Sequence, residues 1–280
     1  MSGDTITWLN GQQTHHLPLP DRAVDFGDGL FETLLLKHGE PLYLERHLAR
    51  LRRGAQSLYF PAEANQLVAK TIDLAKRDIA ATSWPWTALR VTLSRGAGPR
   101  GYAPPIECEP RCLASATRLE RNPLEIAEPA RIGMASIRWP TQPALAGLKH
   151  LNRLEQVLAA REYRLQSLDE ALMLDQDGNV VSVTAGNLFA VIKGEIITPK
   201  LEQAGLRGTR RECLMDDWAP ALGKMVSEVT LRQAELERAE EVFFTNTLVG
   251  LRPVGAMNNM RWKQSSTCQA LHRCYLDSVS

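Results

Sequence analysis

The stretch that decides the fold is Leu145-Ala146-Gly147-Leu148-Lys149-His150-Leu151-Asn152-Arg153-Leu154-Glu155-Gln156. Its lysine, Lys149, follows a run of apolar and small residues. An amine held in apolar surroundings loses solvation and becomes a better nucleophile and base, which is what a Schiff-base lysine needs. Most lysines are solvated surface residues, so Lys149 alone is also consistent with an ordinary lysine at the start of a helix.

Apolar periodicity continues after this stretch. It predicts a helix directly after Lys149, whose apolar face is formed by Leu151, Leu154, Val157/Leu158 and Leu165. Strands are predicted over residues 171–174, 188–192 and 195–198, and Lys193-Gly194 predicts an antiparallel hairpin between the last two. Residues 242–245 are predicted to form a last buried strand.

The residues before the stretch alternate in the same way. Helices are predicted around 44–58 and 62–81, followed by a strand over 88–94. Charged residues and prolines replace the apolar periodicity near 117–131, which suggests a connector. We therefore predict an α+β protein with a smaller N-terminal α/β domain (1–116), a connector (117–130) and a larger C-terminal domain (131–280). A groove between the two domains would suit a cofactor.

Two segments of the C-terminal half have the composition of an anion site. Gly205-Leu206-Arg207-Gly208-Thr209-Arg210 places glycines before a predicted helix, whose first N–H groups can bind a phosphate. Thr245-Asn246-Thr247 could add hydroxyl and N–H donors at the end of a strand. An ordinary glycine loop and a simple strand cap are equally consistent with these segments.

A third candidate lies in the glycine-rich turn that follows residues 88–94. Arg95, Arg100 and Tyr102 flank this turn, and arginine can bind a carboxylate through two parallel hydrogen bonds. The alternative is a solvated hairpin tip.

Composition excludes several classes of function. The 280 residues carry a formal net charge of +1, so no strong field attracts nucleic acid or an acidic membrane. The five cysteines are odd in number and widely spaced, which argues against a disulfide framework, and no ligand spacing predicts a metal site. No signal peptide or membrane-spanning run is recognised, so we expect a cytoplasmic protein.

Taken together, three segments resemble the fold-type IV pyridoxal-phosphate (PLP) enzymes. They are residues 21–33, residues 145–156, and Ser94-Arg95-Gly96 with Arg100-Gly101-Tyr102. Residues 145–156 and the arginine turn are most similar to those of the aminodeoxychorismate lyases, which split 4-amino-4-deoxychorismate into 4-aminobenzoate and pyruvate. The resemblance implies a fold-type IV, two-domain architecture and a homodimer that acts on a small-molecule substrate.

The resemblance also implies roles for individual residues. Lys149 would hold PLP through a Schiff base and act as the catalytic base. The cofactor phosphate would be bound by Arg50, by the segment Gly208, Thr209 and Arg210, and by Thr247, while Asn187 would lie close to the cofactor. Substrate contacts would come from Thr33, Arg95, Arg100 and Tyr102.

One position departs from the family pattern. The family has a glutamate five residues before the equivalent of Asn187, where it meets the pyridine nitrogen of PLP, and this chain has Ser182. A hydroxyl supports a protonated ring less than a carboxylate does. We therefore expect Ser182 to disfavour transamination more than the lyase reaction, unless Asp175 or Asp177 takes the place of the glutamate.

Three other functions remain open at this point. The first is a D-amino-acid or branched-chain aminotransferase of the same fold. The second is a non-catalytic relative, which Ser182 keeps open. The third is PLP-independent processing of a chorismate.

Overall fold

The computed structural model describes residues 5–279 and divides the chain into two units. Unit 1 comprises the chain up to Asn122 together with Leu148–Asn152. Unit 2 comprises Pro123–Gly147 and Arg153–Ser280. Both units combine a β-sheet with helices, which confirms the predicted α+β, fold-type IV class.

Unit 1 is an antiparallel sheet with helices on one face. The six strands follow the order β2-β1-β6-β5-β3-β4. They are β1 (Thr5–Leu9), β2 (Gln12–Gln13), β3 (Gly29–Lys37), β4 (Glu40–Pro41), β5 (Trp86–Ser94) and β6 (Arg111–Arg118). The helices are α1 (Arg22–Phe26), α2 (Leu44–Ser57) and α3 (Glu63–Ala80). The helices predicted around 44–58 and 62–81 and the strand over 88–94 are confirmed.

The two faces of this sheet differ because successive side chains of a strand point to opposite sides. Leu34 and Leu36 of β3 face α2 and α3 and join the hydrophobic core there. Phe31 and Thr33 point to the other side, as do Arg90 and Thr92 of β5, which the register places opposite them. We call this side the lysine face, because the Lys149 side chain lies on it, against Phe31.

A short segment distant in sequence extends the sheet at the edge of β3. His150 pairs with Leu30, the Phe31 N–H donates to the Lys149 carbonyl at 2.9 Å, and the Leu151 N–H donates to the Gly29 carbonyl at 3.1 Å. Lys149 therefore lies in extended chain against a strand. The predicted position at a helix start was wrong, because the next helix begins only at Leu154.

Unit 2 is built on a nine-stranded sheet, of mixed direction and following the path β12-β11-β10-β13-β14-β7-β8-β9, with β15 beside β14. Its strands are β7 (Ala130–Met134), β8 (Glu170–Leu174), β9 (Val180–Val183), β10 (Asn187–Ile192), β11 (Glu195–Pro199), β12 (Val226–Val229), β13 (Glu241–Asn246), β14 (Gly250–Met257) and β15 (Met260–Arg261). The helices are α4 (Leu154–Leu165), α5 (Thr209–Cys213), α6 (Ala219–Ala221), α7 (Gln233–Leu236) and α8 (Ser266–Asp277), with a π-helical turn at Leu214–Trp218.

The hairpin predicted from Lys193-Gly194 is confirmed as the antiparallel pair β10 and β11. The buried strand predicted at 242–245 is also present as β13. It is not the last strand, since β14 and β15 follow it.

The helix predicted after Lys149 exists, but its apolar stripe is not buried. Leu154 is 73% exposed, Val157 60%, Leu158 49% and Leu165 72%. The helix packs through Ala159 and Tyr163 on the opposite side. Periodicity predicted the helix correctly, yet it does not specify which face the rest of the chain covers.

None of the helices within residues 5–279 has the length and hydropathy that crossing a bilayer requires. All five cysteines are free thiols.

Unit 2 contains one strongly perturbed carboxyl group, at Glu170 on β8. Burial raises its pKa to about 7, against the hydrogen bonds that it receives around Thr184 and Ala185. Its Oε2 atom has no hydrogen-bond partner among the described residues. Ionisation of the Glu170 carboxyl therefore lowers the free energy of unfolding of the protein.

The Glu170→Gln variant is predicted to be more stable than the wild type above pH 7, by on the order of 2–3 kcal/mol. Because the pKa is raised in the folded protein, the ionised carboxyl destabilises progressively as the pH rises from 4.5 to about 7. The difference should therefore vanish below pH 4.5. Urea unfolding across this range measures it, with exposed Glu195→Gln as the control. A constant difference at every pH would contradict the assignment.

Candidate active site

The side chain of Lys149 lies on the lysine face of unit 1, against an aromatic ring. Its Nζ is 4.2 Å from the centroid of the Phe31 ring. The Arg90 guanidinium lies over the same ring, with its Cζ 4.0 Å from the centroid. One phenyl ring thus supports both an amine and a fixed positive charge.

A cavity of about 350 Å³ opens on this face of the sheet. It is bordered by β1, β5 and β6 and by the chain that follows β2. The lining side chains that matter for recognition are Arg90, Thr92, Ser115, Thr7, His15 and His16. His15 Nδ1 is 3.3 Å from Thr7 Oγ1, which attaches this histidine to β1. The wall is largely apolar, and it carries the positive charge of Arg90 beside several hydroxyl groups, which suits a small anion with an apolar part.

Arg90 is the functional candidate that sequence reasoning missed. It alternates with buried Leu89 and Val91, and a charged residue in that phase is typical of a solvated strand face. Only the pairing of β3 with β5, which sets Arg90 opposite Thr33, shows that it shares a face with Lys149. Thr33, a predicted substrate contact, lies on the same face.

Arg95 occupies a different environment from the one predicted. Its Nε donates to Asp28 at 2.8 Å, Nη2 to the Leu58 carbonyl at 2.7 Å, and Nη1 to the Tyr59 carbonyl at 3.3 Å. The guanidinium is also stacked on Phe60, and the residue is buried. These contacts favour a structural role for Arg95 over a substrate contact.

The turn that carries Arg100 and Tyr102 is fixed by Arg22. This buried arginine donates to the carbonyls of Gly101 at 3.1 Å and Tyr102 at 2.7 Å, and to Asp28 at 2.9 Å. Burial of Asp28 would raise its pKa, but hydrogen bonds from Arg95 and Arg22 outweigh this effect and lower it. The side chains of Arg100 and Tyr102 are exposed, so the turn holds its backbone and presents both to solvent.

Arg50, the predicted phosphate ligand, forms a buried ion pair on the helix side of the same sheet. Its Nε donates to Glu32 Oε1 at 2.7 Å and its Nη2 to Oε2 at 2.5 Å, and His47 Nδ1 lies 2.7 Å from Oε2. Burial would raise the pKa of Glu32, but the charge of Arg50 and the hydrogen bonds from His47 and Arg50 lower it to about 2. Glu32 therefore fixes the Arg50 guanidinium in place.

In unit 2, Asn187 organises the predicted phosphate loop. Its Nδ2 donates to the Leu206 carbonyl at 2.8 Å, and its Oδ1 accepts from the Gly208 N–H at 3.0 Å. A Cβ at Gly208 would lie 2.2 Å from Asn187 Oδ1, so only glycine fits there. The loop is thereby held where it enters α5.

Thr209 and Arg210 form the first turn of α5, as predicted, and both are buried. The Arg210 guanidinium lies 5.8 Å from the Tyr275 ring centroid, so its side chain belongs to the interior. Its backbone N–H remains the candidate for an anion. Thr247 follows β13 in a turn organised by Asn246, whose Oδ1 accepts from the N–H groups of Leu248 and Val249.

Ser182 on β9 is 5% exposed, and its hydroxyl accepts a hydrogen bond from Trp139 Nε1 at 3.2 Å. Asp175 and Asp177, the aspartates considered as substitutes for the missing glutamate, do not lie in a buried strand position like that of Ser182. Asp175 accepts from the backbone of Asp177 and Asn179 and holds the turn between β8 and β9. Asp177 is exposed in that turn.

The sequence profile of the amino-transferase class IV family matches residues 29–257.

The chain belongs to the amino-transferase class IV family.

Among its relatives is an aminodeoxychorismate lyase of Vibrio harveyi, 31% identical over 90% of this chain and 91% of that protein. A putative branched-chain-amino-acid aminotransferase of Methanocaldococcus jannaschii is 29% identical over 84% of this chain and 80% of that protein. The crystal structure of 4-amino-4-deoxychorismate lyase from Pseudomonas aeruginosa is 35% identical, with a TM-score of 0.87 over 97% of this chain and 98% of that one.

Members of the class IV family depend on pyridoxal phosphate, and features of each unit fit that group. In unit 2, Asn187 holds the loop that leads into α5, and the loop approaches it so closely that a Cβ at Gly208 would clash with Oδ1. Thr245, opposite Asn187 in the sheet, has a buried Oγ1 with no hydrogen-bond partner among the described residues. In unit 1, Lys149 presents an amine on the lysine face. Within residues 5–279, no group of three or more His, Cys, Asp or Glu side chains is arranged to hold a metal ion.

The Glu32→Ala variant is predicted to lose about 3–5 kcal/mol of stability at pH 7, since it removes the carboxylate that compensates the buried Arg50 charge. The pKa of Glu32 is lowered from 4.5 to about 2 in the folded protein. The stabilisation is therefore complete above pH 4.5 and is lost as the pH falls towards 2. Urea unfolding at several pH values measures both effects.

The control is Glu40→Gln, which removes a largely exposed partner of Lys76. It should change the unfolding free energy by less than about 1 kcal/mol. Equal losses in the two variants would contradict the role given to the buried pair.

Proposed function

We propose that this chain is a cytoplasmic, PLP-dependent aminodeoxychorismate lyase that forms 4-aminobenzoate and pyruvate in folate biosynthesis. The observation that carries the proposal is the placement of the Lys149 amine and the Arg90 guanidinium over one ring, on a sheet face with a cavity that Arg90 borders. The Lys149 amine can bind the cofactor aldehyde, and the Arg90 guanidinium can bind a carboxylate of an anionic amino substrate. Similarity to lyases along nearly the whole chain supports it.

Several residues of the chain would hold the cofactor. Pyridoxal phosphate supplies an aldehyde that binds amines and a ring that accepts electrons. Lys149 would bind the aldehyde, and Ser182 would face the ring nitrogen. Arg50 would bind the phosphate, together with the N–H groups of Thr209 and Arg210 and a contact from Thr247. Asn187 would keep the phosphate loop in shape through its two hydrogen bonds.

Lys149 would also have a second role, in proton transfer. Its Nζ would take the proton from the amine-bearing carbon of the substrate, as a general base. The same Nζ is the candidate to return a proton to the departing enolpyruvyl group. The Phe31 ring lies against this amine and helps to fix its position.

Arg90 would bind a substrate carboxylate. The substrate carries one carboxylate on its ring and one on its enolpyruvyl group, and Arg90 is the arginine on the lysine face that borders the cavity. Thr33, across the strand pair, would add a hydroxyl. Arg100 and Tyr102 remain further candidates, because their side chains are exposed.

The proposal is tested by 4-aminobenzoate formation from enzymatically generated aminodeoxychorismate, with PLP present. Lys149→Ala should abolish turnover. Arg90→Ala should lower kcat/KM by about 10- to 100-fold, because a hydrogen bond between charged groups contributes roughly 1.5–3 kcal/mol. Arg118→Ala, a more exposed arginine of the same sheet, is the control and should behave as the wild type. Substantial activity in Lys149→Ala would overturn the proposal.

An aminotransferase of the same family is the second candidate, because the relatives include aminotransferases. Ser182 argues against it, since reversible amino transfer needs stronger support for a protonated ring than loss of pyruvate does. Amino transfer that depends on a keto acid would reveal this activity. Product formation without PLP would reveal a cofactor-independent reaction instead, and absence of every activity would indicate a non-catalytic relative.

Ser182→Glu is predicted to increase amino transfer to a keto acid by a larger factor than it changes lyase turnover. The carboxylate would stabilise a protonated ring, on which amino transfer depends more. Both rates are measured on the same preparation, with Ser182→Ala as the control for loss of the hydroxyl. Equal factors for the two reactions would argue against this role of Ser182.

We also propose that the protein forms a homodimer through the exposed stripe of α4. Four large apolar side chains on one helix face are unusual on a monomer surface, and a second copy would cover them. No acidic or basic bias of the whole chain supports a nucleic acid or a membrane as the partner.

Leu158→Glu is predicted to shift the protein towards monomer, because a charge in a buried apolar interface is costly. Light scattering after gel filtration measures the mass. Met225→Glu, which changes an exposed apolar residue away from the stripe, should leave the mass unchanged. A dimer of unchanged stability in Leu158→Glu would exclude this face as the interface.

A further inference from the structure

The Ser182 hydroxyl has a partner that determines how it can be used. Trp139 Nε1 donates to Ser182 Oγ at 3.2 Å, and both residues are buried. The two residues are 43 positions apart in sequence. The backbone N–H of Trp139 donates to the Leu174 carbonyl at 2.9 Å, which fixes the backbone of Trp139 beside β8. The indole packs in a cluster with Met173 and Val181. The hydrogen bond is thus held by packing on both sides.

Ring and hydroxyl chemistry give this hydrogen bond a direction. An indole N–H can only donate, whereas a hydroxyl donates one proton and accepts through two lone pairs. Ser182 must therefore be the acceptor towards Trp139. No residue in the described part of the chain accepts the Ser182 proton in return. That proton is left for a group outside the protein.

We propose that Trp139 is a positioning residue that makes the Ser182 hydroxyl a hydrogen-bond donor, so that this chain holds the ring nitrogen of its cofactor unprotonated. The inference rests on the proposed function, which places Ser182 at that nitrogen. An unprotonated pyridine nitrogen accepts a hydrogen bond, and a protonated one donates. A donor hydroxyl therefore stabilises the unprotonated ring, in contrast to a carboxylate, which can only accept.

The charged groups near Trp139 and Ser182 either also disfavour a protonated ring or form their contacts elsewhere. The Arg153 guanidinium lies over the Trp139 ring, 5.6 Å from its centroid, and a nearby positive charge disfavours a second one. Asp175, which pairs with Trp139 through the backbone, uses its carboxylate in the turn between β8 and β9. Glu170, on β8, packs around Thr184 and Ala185 rather than at Trp139.

The experiment is the nitrogen-15 chemical shift of the ring in protein reconstituted with [15N]pyridoxal phosphate, recorded over a range of pH. It needs no substrate and no turnover. The wild type should show an unprotonated ring at neutral pH, and Ser182→Glu a protonated one. Trp139→Phe removes the indole N–H, whose bond to Oγ strengthens the hydroxyl as a donor and weakens it as an acceptor. The ratio of protonated to unprotonated ring at a given pH should therefore rise by about tenfold, equivalent to one pH unit.

A double-mutant comparison separates positioning from packing. In the Ser182→Ala background, Trp139→Phe should leave the ring nitrogen shift unchanged. Trp218→Phe, which removes another buried indole of unit 2, should lower the melting temperature without altering the shift. A protonated ring in the wild type would overturn the inference, as would an equal effect of Trp139→Phe with and without Ser182.

A protein that does not bind the labelled cofactor would be a third outcome of this experiment. It would overturn the proposed function, and the inference with it. A bound cofactor with an unprotonated ring but no lyase activity would support the inference and count against the lyase assignment alone.

Discussion

The site depends on the pairing of Leu148–Asn152 with the edge of β3. Two backbone hydrogen bonds and the bridge between Leu30 and His150 place a short segment beside a strand more than a hundred residues earlier. Backbone pairing fixes the register, and register decides which side chains share a face. A slip of one residue would move the Lys149 amine from Phe31 to the helix side of the sheet. The chemistry of Lys149 is therefore set by strand pairing.

Buried charge supports this arrangement in unit 1. On the helix side, Glu32 holds Arg50 through two hydrogen bonds, and on the turn side Asp28 holds Arg22 and Arg95. Each carboxylate compensates guanidinium charge that would otherwise be costly to bury. Among the arginines that the sequence offers as ligands, Arg95 is thus engaged in structural contacts, Arg100 is exposed, and Arg50 is held in place by Glu32.

Much of the fold could be predicted because local signals determine it. Lys193-Gly194 predicted the hairpin, and apolar periodicity predicted α2, α3 and α4. The role predicted for Lys149 came from the resemblance of residues 145–156 to the family, because its apolar neighbours alone are also consistent with an ordinary lysine. The exposure of the α4 stripe could not be predicted, since periodicity shows that a helix has an apolar face and not what covers that face.

The features that sequence could not provide are those set by tertiary pairing. Arg90 alternates with buried residues, as a solvated strand residue does. Only the pairing of β3 with β5 shows that it shares a face with Lys149. The bond between Trp139 and Ser182 joins positions 43 apart, and neither residue has a local signal for the other. Ser182 was visible in the sequence as a departure from the glutamate of the family, whereas the hydrogen bond that it accepts from the indole was not.

The most direct test of the account asks which residue carries the cofactor. The protein is reconstituted with pyridoxal phosphate, reduced with borohydride to make the link to the protein permanent, digested, and analysed by peptide mass spectrometry. We expect the added phosphopyridoxyl mass on the peptide that contains Lys149 and on no other lysine peptide. Labelling of a different lysine, or no specific label on protein that has bound the cofactor, would contradict the central role given to Lys149.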